Sequence, residues 1–132
     1  MKHLYLCLLF CFSLSTMYGQ DIGPASEGEV YNLAGVDVKP EFPGGMQEFY
    51  NYIGKSYRVP NVKGLSGKVF VSFIVDIDGY IKDIKVLRDV GHGTGKEAVR
   101  ILSESPQWSP GEQNGRKVKC LYSLPINITP QR

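Results

Sequence analysis

The feature that most restricts how this chain can fold is the alternation of apolar and polar residues over Lys68–Asp76. A period of two is that of a β-strand with one buried face, and most of the apolar residues here are β-branched. Asp78-Gly79 follows, and both residue types tolerate the positive φ of a tight hairpin turn. The chain returns over Tyr80–Leu87, where the apolar phase slips near Lys82-Asp83. The sequence therefore predicts an antiparallel hairpin with a bulge or an edge position at the slip.

Two helices are predicted around this hairpin. The first follows Gly44-Gly45 and closes near Gly54, with an apolar stripe at helical spacing. The second begins at Thr94, which with Glu97 has the spacing of a capping box, and ends before Pro106. The stripes consist of Met46, Phe49, Tyr50 and Ile53 in the first helix, and of Ala98, Ile101, Leu102 and Ser105 in the second. Each helix should bury one face against the sheet.

Alternation returns over Lys117–Leu124 and predicts a third strand. Pro125 cannot donate to a ladder, so it should end this strand or hold it at an edge. The predicted order is α-β-β-α-β and the predicted fold class is α+β, a three-stranded antiparallel sheet with two helices packed on one face. Residues 20–42 show no sustained period and are predicted to be an extended lead-in to a domain over 43–130. The sequence does not decide whether three aromatic residues belong to the core or to a contact surface; they are Tyr50, Tyr52 and Trp108.

The N-terminus has the organisation of an export signal. Lys2 and His3 precede an apolar stretch of about eleven residues, which is shorter than the ~20 that a membrane-spanning helix needs. The sequence predicts residues 1–19 to be a signal peptide cleaved near Gly19, with retention as a weak anchor as the alternative. Loss of the signal removes Cys7 and Cys11, and the remaining Cys120 cannot form an internal disulfide.

Composition and spacing argue against several functional classes. Without the signal, 14 Lys/Arg balance 13 Asp/Glu, so the net charge does not suggest a nucleic-acid or anionic-membrane partner. The glycine-rich loop at residues 91–96 lacks the glycine and hydroxyl positions of a phosphate-binding loop, and the carboxylates of residues 76–83 lack calcium-loop spacing. Cys120 falls on the apolar side of the last strand, where an inert thiol is more typical than a nucleophile paired with His92. We therefore expect no cofactor, no metal and no enzymatic activity.

Seven short segments occur in a fixed order over about 90 residues. They are Pro43-Gly44-Gly45, Gly67–Val75, Asp78-Gly79, Ile84–Arg88, Gly95–Ala98, Pro106–Gly111 and Pro125–Ile128. This set, with a Trp-x-Pro-Gly turn between the second helix and the last strand, resembles the C-terminal domain of TonB-family proteins. The form is similar to that of Bacteroidetes-type bacteria.

The resemblance implies a periplasmic domain that binds outer-membrane TonB-dependent transporters, which are β-barrels, and that passes on force from an inner-membrane motor. In the family the last strand pairs with an extended peptide of the transporter, and a Tyr-Pro loop before the first strand adds contacts. The positions that match here are Tyr57, Arg58 and Pro60 in the loop, and Arg116, Lys117, Val118, Lys119, Leu121 and Ser123 in the strand. The basic residues among them are also consistent with a solvent-exposed strand edge whose charges prevent aggregation.

Two departures from the family pattern shape the functional hypothesis. Asp21 to Phe42 reaches at most ~75 Å when fully extended, which is a short tether. The loop after Tyr57 is also shortened relative to the family. We therefore expect a free periplasmic binding domain that meets inner-membrane motor proteins only indirectly. The alternative is an envelope structural or regulatory module that forms a homodimer or docks on a non-transporter protein.

Overall fold

The computed structural model describes residues 28–130, so the predicted signal peptide lies outside the described residues. These residues form five strands, two α-helices and a short 3₁₀ helix. In chain order they are β1 Val30–Asn32, the 3₁₀ helix Leu33–Gly35, α1 Met46–Ser56, β2 Gly67–Val75, β3 Ile81–Arg88, α2 Thr94–Ser103, β4 Gly111–Gln113 and β5 Arg116–Ile128. No helix in this part of the chain is long and apolar enough to cross a membrane.

The sheet is built around β5, which lies between β1 and β2 in the order β1-β5-β2-β3. The β2–β5 ladder has nine consecutive antiparallel pairs, from Gly67↔Ile128 to Val75↔Cys120. β1 runs parallel to β5 at Lys119–Leu121, and β4 pairs with its first three residues. The α+β class is confirmed, but the prediction of three strands is wrong. β1 and β4 are three residues each, too short for a period of two to appear in the sequence.

The central hairpin forms as the sequence predicts, but its turn is longer than the predicted tight one. The last pair is Val75↔Ile81, and Gly79 has a positive φ whereas Asp78 does not. Gly79 has a φ of +83°, and the Asp78 carboxylate accepts a hydrogen bond from the backbone N–H of Tyr80 at 2.9 Å. The predicted bulge is also present, because the β2–β3 register shifts between Ser72 and Ile74 where Asp83 adopts a φ of +51°. A left-handed residue in one strand explains why the apolar phase slips there.

Both helices pack on the same face of the sheet, as predicted. Their buried residues meet the odd-numbered residues of β2 and the even-numbered residues of β5. An aromatic cluster fills the space under α1, and it consists of Phe42, Phe49, Phe73, Trp108 and Tyr122. Trp108 is therefore part of the core, and the indole N–H donates to the Ser105 hydroxyl at 2.9 Å.

The predicted capping box is wrong. α2 does begin at Thr94, but the residue before it, Gly93, occupies the N-cap position in the left-handed conformation. The Thr94 hydroxyl donates to the carbonyl of Gly91 at 2.7 Å instead of capping a helical N–H. The first helix also runs two residues beyond Gly54.

Pro125 does not end the last strand, which continues to Ile128. It pairs opposite Phe70 in the β2–β5 ladder, so the second predicted option, an edge position, is the one that the structure adopts. The expected lead-in is also partly structured. Val30–Asn32 joins the sheet, and Pro40 and Phe42 are buried, so the folded unit begins well before residue 43.

Glu97 and Arg100 connect the two helices. The Arg100 guanidinium donates to Glu97 and to the carbonyl of Ser56 at the end of α1. The Glu97 carboxylate also accepts the backbone N–H of Arg58 at 2.8 Å. The hydrogen bond from Arg100 lowers the pKa of Glu97, outweighing the opposing effect of burial.

Glu97→Gln is expected to lower the free energy of unfolding by about 1–2 kcal/mol at pH 7, because a charge-assisted hydrogen bond is lost. The folded pKa lies below the unfolded value near 4.5, so the carboxylate stabilises the fold above that pH and this contribution is lost as the pH falls through the folded pKa. Urea denaturation at pH 7, 5 and 3 should show the difference shrinking at the lowest pH. The control Glu104→Gln removes an exposed partner of the same arginine and should cost less than ~0.5 kcal/mol. A difference that stays constant with pH would contradict this interpretation.

Candidate functional site

One edge of the sheet has no partner strand over most of β5. Residues Tyr122–Ile128 pair with β2 on one side, whereas β1 ends at the level of Leu121 on the other. Within residues 28–130, no strand pairs with this second side. We call Tyr122–Ile128 the free edge. It contains no charged residue, and its ladder with β2 is regular throughout. An uncharged, regular edge is the kind that another strand can extend.

The opposite edge of the sheet, β3, is protected. Lys82, Asp83, Lys85 and Arg88 place four charges in eight residues. The ladder with β2 is interrupted by two register shifts. Charges and bulges of this kind are how natural sheets prevent strand addition. The two edges of this sheet are therefore not equivalent.

A cleft of about 310 Å³ opens beside the first residue of the free edge. Tyr122 forms part of its wall, α1 contributes Met46, and the 3₁₀ helix contributes Leu33. The remaining lining residues are Lys39, Pro40, Glu41, Phe42, Phe49 and Trp108. The cleft is thus mainly apolar, with one cation and one carboxylate among its lining residues.

Exposed apolar side chains of α1 lie next to this end of the edge. The Tyr122 hydroxyl contacts the Met46 sulfur at 3.5 Å, and Met46 is 44% exposed. Burial, and then the neighbouring Tyr50, raise the pKa of Tyr122. Tyr50 is itself 51% exposed, so it belongs to the surface and not to the core. A peptide added to the free edge would therefore meet apolar side chains on its helix-facing side.

The strand residues predicted to bind a partner lie mostly before the free edge. β4 pairs with Arg116, Lys117 and Val118, and β1 pairs with Lys119 and Leu121. The resemblance implies that these residues pair with a partner peptide, which requires an unpaired edge, but two short strands that the sequence did not indicate already pair with them. Ser123 alone of the six falls within the free edge. Whether these residues contact a partner stays a prediction.

The predicted loop residues lie at the other end of the sheet. The Tyr57 hydroxyl donates to the carbonyl of Thr94 at 2.7 Å, and burial raises its pKa to about 12. The backbone of Arg58 is held by Glu97, and Pro60 is half-buried. Tyr57 thus connects the end of α1 with the start of α2, which gives it a structural role whether or not it also contacts a partner.

The β2–β5 register places the predicted loop residues and the predicted basic strand residues at opposite ends of the sheet. The eight residue steps from Cys120 to Ile128 span about 26 Å along the strand. Arg116–Lys119 lies at the Cys120 end of this span. At the other end, Gly67 pairs with Ile128 and lies next to Val90, which precedes α2. The structure therefore does not bring the loop group and the basic strand group together. The same separation keeps Cys120 away from His92, and burial raises the pKa of the Cys120 thiol.

The residues around the cleft were not predicted from the sequence as a site. Alternation over Lys117–Leu124 puts Tyr122 on the apolar face of the last strand, but nothing local in the sequence indicates that the neighbouring strand stops beside it. The available signal was the absence of charge over Tyr122–Ile128, in contrast with the basic residues before it.

Comparison with known proteins agrees with the resemblance. The family model described as "Gram-negative bacterial TonB protein C-terminal" matches residues 61–129, which is more than half of the chain. The chain belongs to the TonB C-terminal domain family. The matched segment includes all of β2 to β5 and both edges of the sheet discussed above.

TonB relatives are found among curated proteins and solved structures. Protein TonB of Helicobacter pylori strains J99 and 26695 is 29% identical over 107 residues, which cover 77% of this chain. The chain spans only 36% of the length of those TonB proteins. The solution structure of the Helicobacter pylori TonB C-terminal domain has a TM-score of 0.46 and 22% identity, over 68% of this chain and 88% of that one. The Pseudomonas aeruginosa TonB C-terminal domain has a TM-score of 0.42 and 22% identity, over 79% and 99% respectively.

Proposed function

We propose that this TonB-family chain is a periplasmic, non-enzymatic binding domain that engages an outer-membrane TonB-dependent transporter by strand addition. An extended peptide of the transporter would pair with the free edge, Tyr122–Ile128. The observation that carries the proposal is the contrast between the two edges of the sheet. The free edge is regular and uncharged, whereas β3 is bulged and charged.

Strand addition uses the groups that this edge presents. Backbone N–H and C=O groups that point away from β2 supply hydrogen bonds without regard to sequence, and alternate side chains supply specificity. A partner has at most seven residues of the edge to pair with before it meets β1 at Leu121, and the 3₁₀ helix that follows β1 packs against β5 beside the start of this edge. Pro125 has no N–H to donate, so a partner strand paired along this edge would form one backbone hydrogen bond fewer at its level. A longer partner strand would have to displace the three-residue β1.

The two faces of the added strand would meet different surroundings. A side chain level with Tyr122 on the helix side would lie at the cleft formed with Met46 and Leu33. A side chain on the other face would lie beside Ser123 or Asn127, which are exposed. The proposal therefore expects an apolar residue in the partner near Tyr122 and tolerance of polar residues on the opposite face.

Disulfide crosslinking tests this edge directly. Ser123 and Lys85 both pair with Ser72, so they lie in one row across the sheet, one on β5 and the other on β3. Ser123→Cys and Lys85→Cys are each mixed with extended transporter peptides that carry one cysteine at successive positions. We expect Ser123→Cys to form crosslinks at alternate peptide positions and Lys85→Cys to form none.

Equal crosslinking at both positions, or none at Ser123→Cys while the chain stays folded, would overturn the proposal. Sedimentation of the unmodified chain checks the alternative of a self-associating module. A stable dimer in which residues 122–128 gain protection from hydrogen exchange would assign the free edge to a second copy. A monomer whose free edge gains protection only with the peptide supports transporter binding.

A further inference from the structure

The face of the sheet opposite the two helices carries a concentration of positive charge. Side chains alternate along each strand, so the register decides which cations share this face. They are Lys68 of β2, Lys82, Lys85 and Arg88 of β3, and Lys117 and Lys119 of β5. Three carboxylates of the described residues also belong to this face. Asp76 and Asp78 both contact Lys82, and Glu112 pairs with Lys117 in the β4–β5 ladder without forming an ion pair within 4 Å. We call this surface the cationic face.

The cationic face is broad and has apolar side chains along its middle. Phe70 lies between Pro125 and Arg88, and Ile74 lies between Leu121 and Lys82. Leu121 is 37% exposed, and Phe70 and Ile74 are half-buried. From strand spacing and rise, the cations spread over about 30 Å by 10 Å. They do not converge on one point, so the arrangement does not suit a single phosphate or a small anion.

We propose that the cationic face docks on the surface of an anionic lipid bilayer. Distributed lysines match the distributed charge of such a surface, and each lysine near it adds to the attraction. Five of the six cations are lysine, which protein–protein interfaces tend to exclude. The long lysine stems can lie along the apolar strip while their ammonium groups reach lipid headgroups. The net charge of +2 gives no indication of this face, because the rest of the chain is net negative.

The proposed orientation leaves the free edge accessible. A sheet lying flat on a bilayer would hold β5 parallel to the membrane surface, with the helices and the cleft directed away from it. Bilayer docking does not depend on transporter binding, and each can fail without the other.

Vesicle binding tests the proposal with the chain that remains after cleavage near Gly19, because the apolar segment before it would itself bind lipid. Phosphatidylcholine vesicles with 30 mol% phosphatidylglycerol are compared with pure phosphatidylcholine vesicles by co-sedimentation at about 0.1 M salt. We expect binding to the anionic vesicles alone, with loss at high salt. A triple variant, Lys68→Gln, Lys85→Gln and Lys117→Gln, should weaken binding about 100-fold, from roughly fivefold for each lysine.

A matched variant shows whether binding depends on the cationic face or only on the total number of lysines. Lys55→Gln, Lys63→Gln and Lys96→Gln remove the same charge from exposed positions in or beside the helices. We expect this variant to retain most of the binding, and denaturation midpoints confirm that both variants are folded. Absence of binding to anionic vesicles, or equal weakening by both triple variants, would overturn the proposal. Binding to soluble polyglutamate but not to vesicles would overturn it in favour of an acidic protein partner.

Discussion

Trp108→Ala is expected to lower the free energy of unfolding by about 3–5 kcal/mol, a large part of the stability of a domain of this size. Trp108 is only 3% exposed and packs against Phe42, Phe49 and Phe73. Removal of the indole leaves a cavity under α1 that neighbouring rings fill only in part. It also leaves the Ser105 hydroxyl without its donor.

Urea denaturation followed by circular dichroism measures this effect. Tyr50→Ala removes another aromatic side chain that is half exposed, and it should cost less than ~1 kcal/mol. If both variants lost the same stability, Trp108 would not be the centre of the core. Since Trp108 also lines the cleft, the variant is unsuitable for testing peptide binding.

Gly79→Ala should be comparably destabilising, by about 3–4 kcal/mol, through two effects that act together. Gly79 has a φ of +83°, where an L-residue is strained. A Cβ at this position would come within 1.9 Å of the carbonyl oxygen of Trp108, a clash that requires the backbone to move. That movement disturbs the hydrogen bond from the Trp108 N–H to the Gly79 carbonyl at 2.8 Å, which fixes the core tryptophan to the hairpin turn.

Gly115→Ala is a control that distinguishes the backbone strain of a positive φ from the steric clash with Trp108. Gly115 has a φ of +75° in the turn between β4 and β5, but a Cβ there would meet no atom within 4 Å. It should therefore show the conformational cost alone, about 1–2 kcal/mol. Similar losses for the two variants, measured by thermal or urea denaturation, would show that the contact with Trp108 is unimportant.

The free edge and the cationic face illustrate how one sheet can present different surfaces. The edge strand β3 contributes its three basic residues to the cationic face. Its bulges hinder a further strand from pairing with its outer side. β5 has its basic residues at its start, where β4 and β1 pair with it, and none along the free edge. If both proposals hold, strand addition and bilayer docking use separate groups and can occur together.

The long elements were predictable from the sequence because each contains its own periodic signal. The hairpin, its bulge and the buried face of α2 follow from residue spacing over eight or more residues. In α1 the predicted stripe is only half correct, because Phe49 and Ile53 are buried whereas Met46 and Tyr50 are exposed. The capping box at Thr94 is a wrong prediction, and of the two outcomes predicted for Pro125 the structure adopts the edge position and not the end of the strand. Both outcomes depend on neighbouring segments and not on the local pattern alone. Gly93 takes the cap position, and the unpaired side of β5 tolerates the proline.

The sequence by itself determined the α+β class, the central hairpin and the family, since these depend on alternation, turn residues and an ordered set of segments. Tertiary structure alone decided where the free edge begins. It depends on where a three-residue strand, distant in sequence, pairs with β5. The cleft and the cationic face likewise combine residues from several elements, and no single segment encodes them. Pairing between segments far apart in sequence is set by the packing of the whole domain, so it has no local pattern from which it could be predicted.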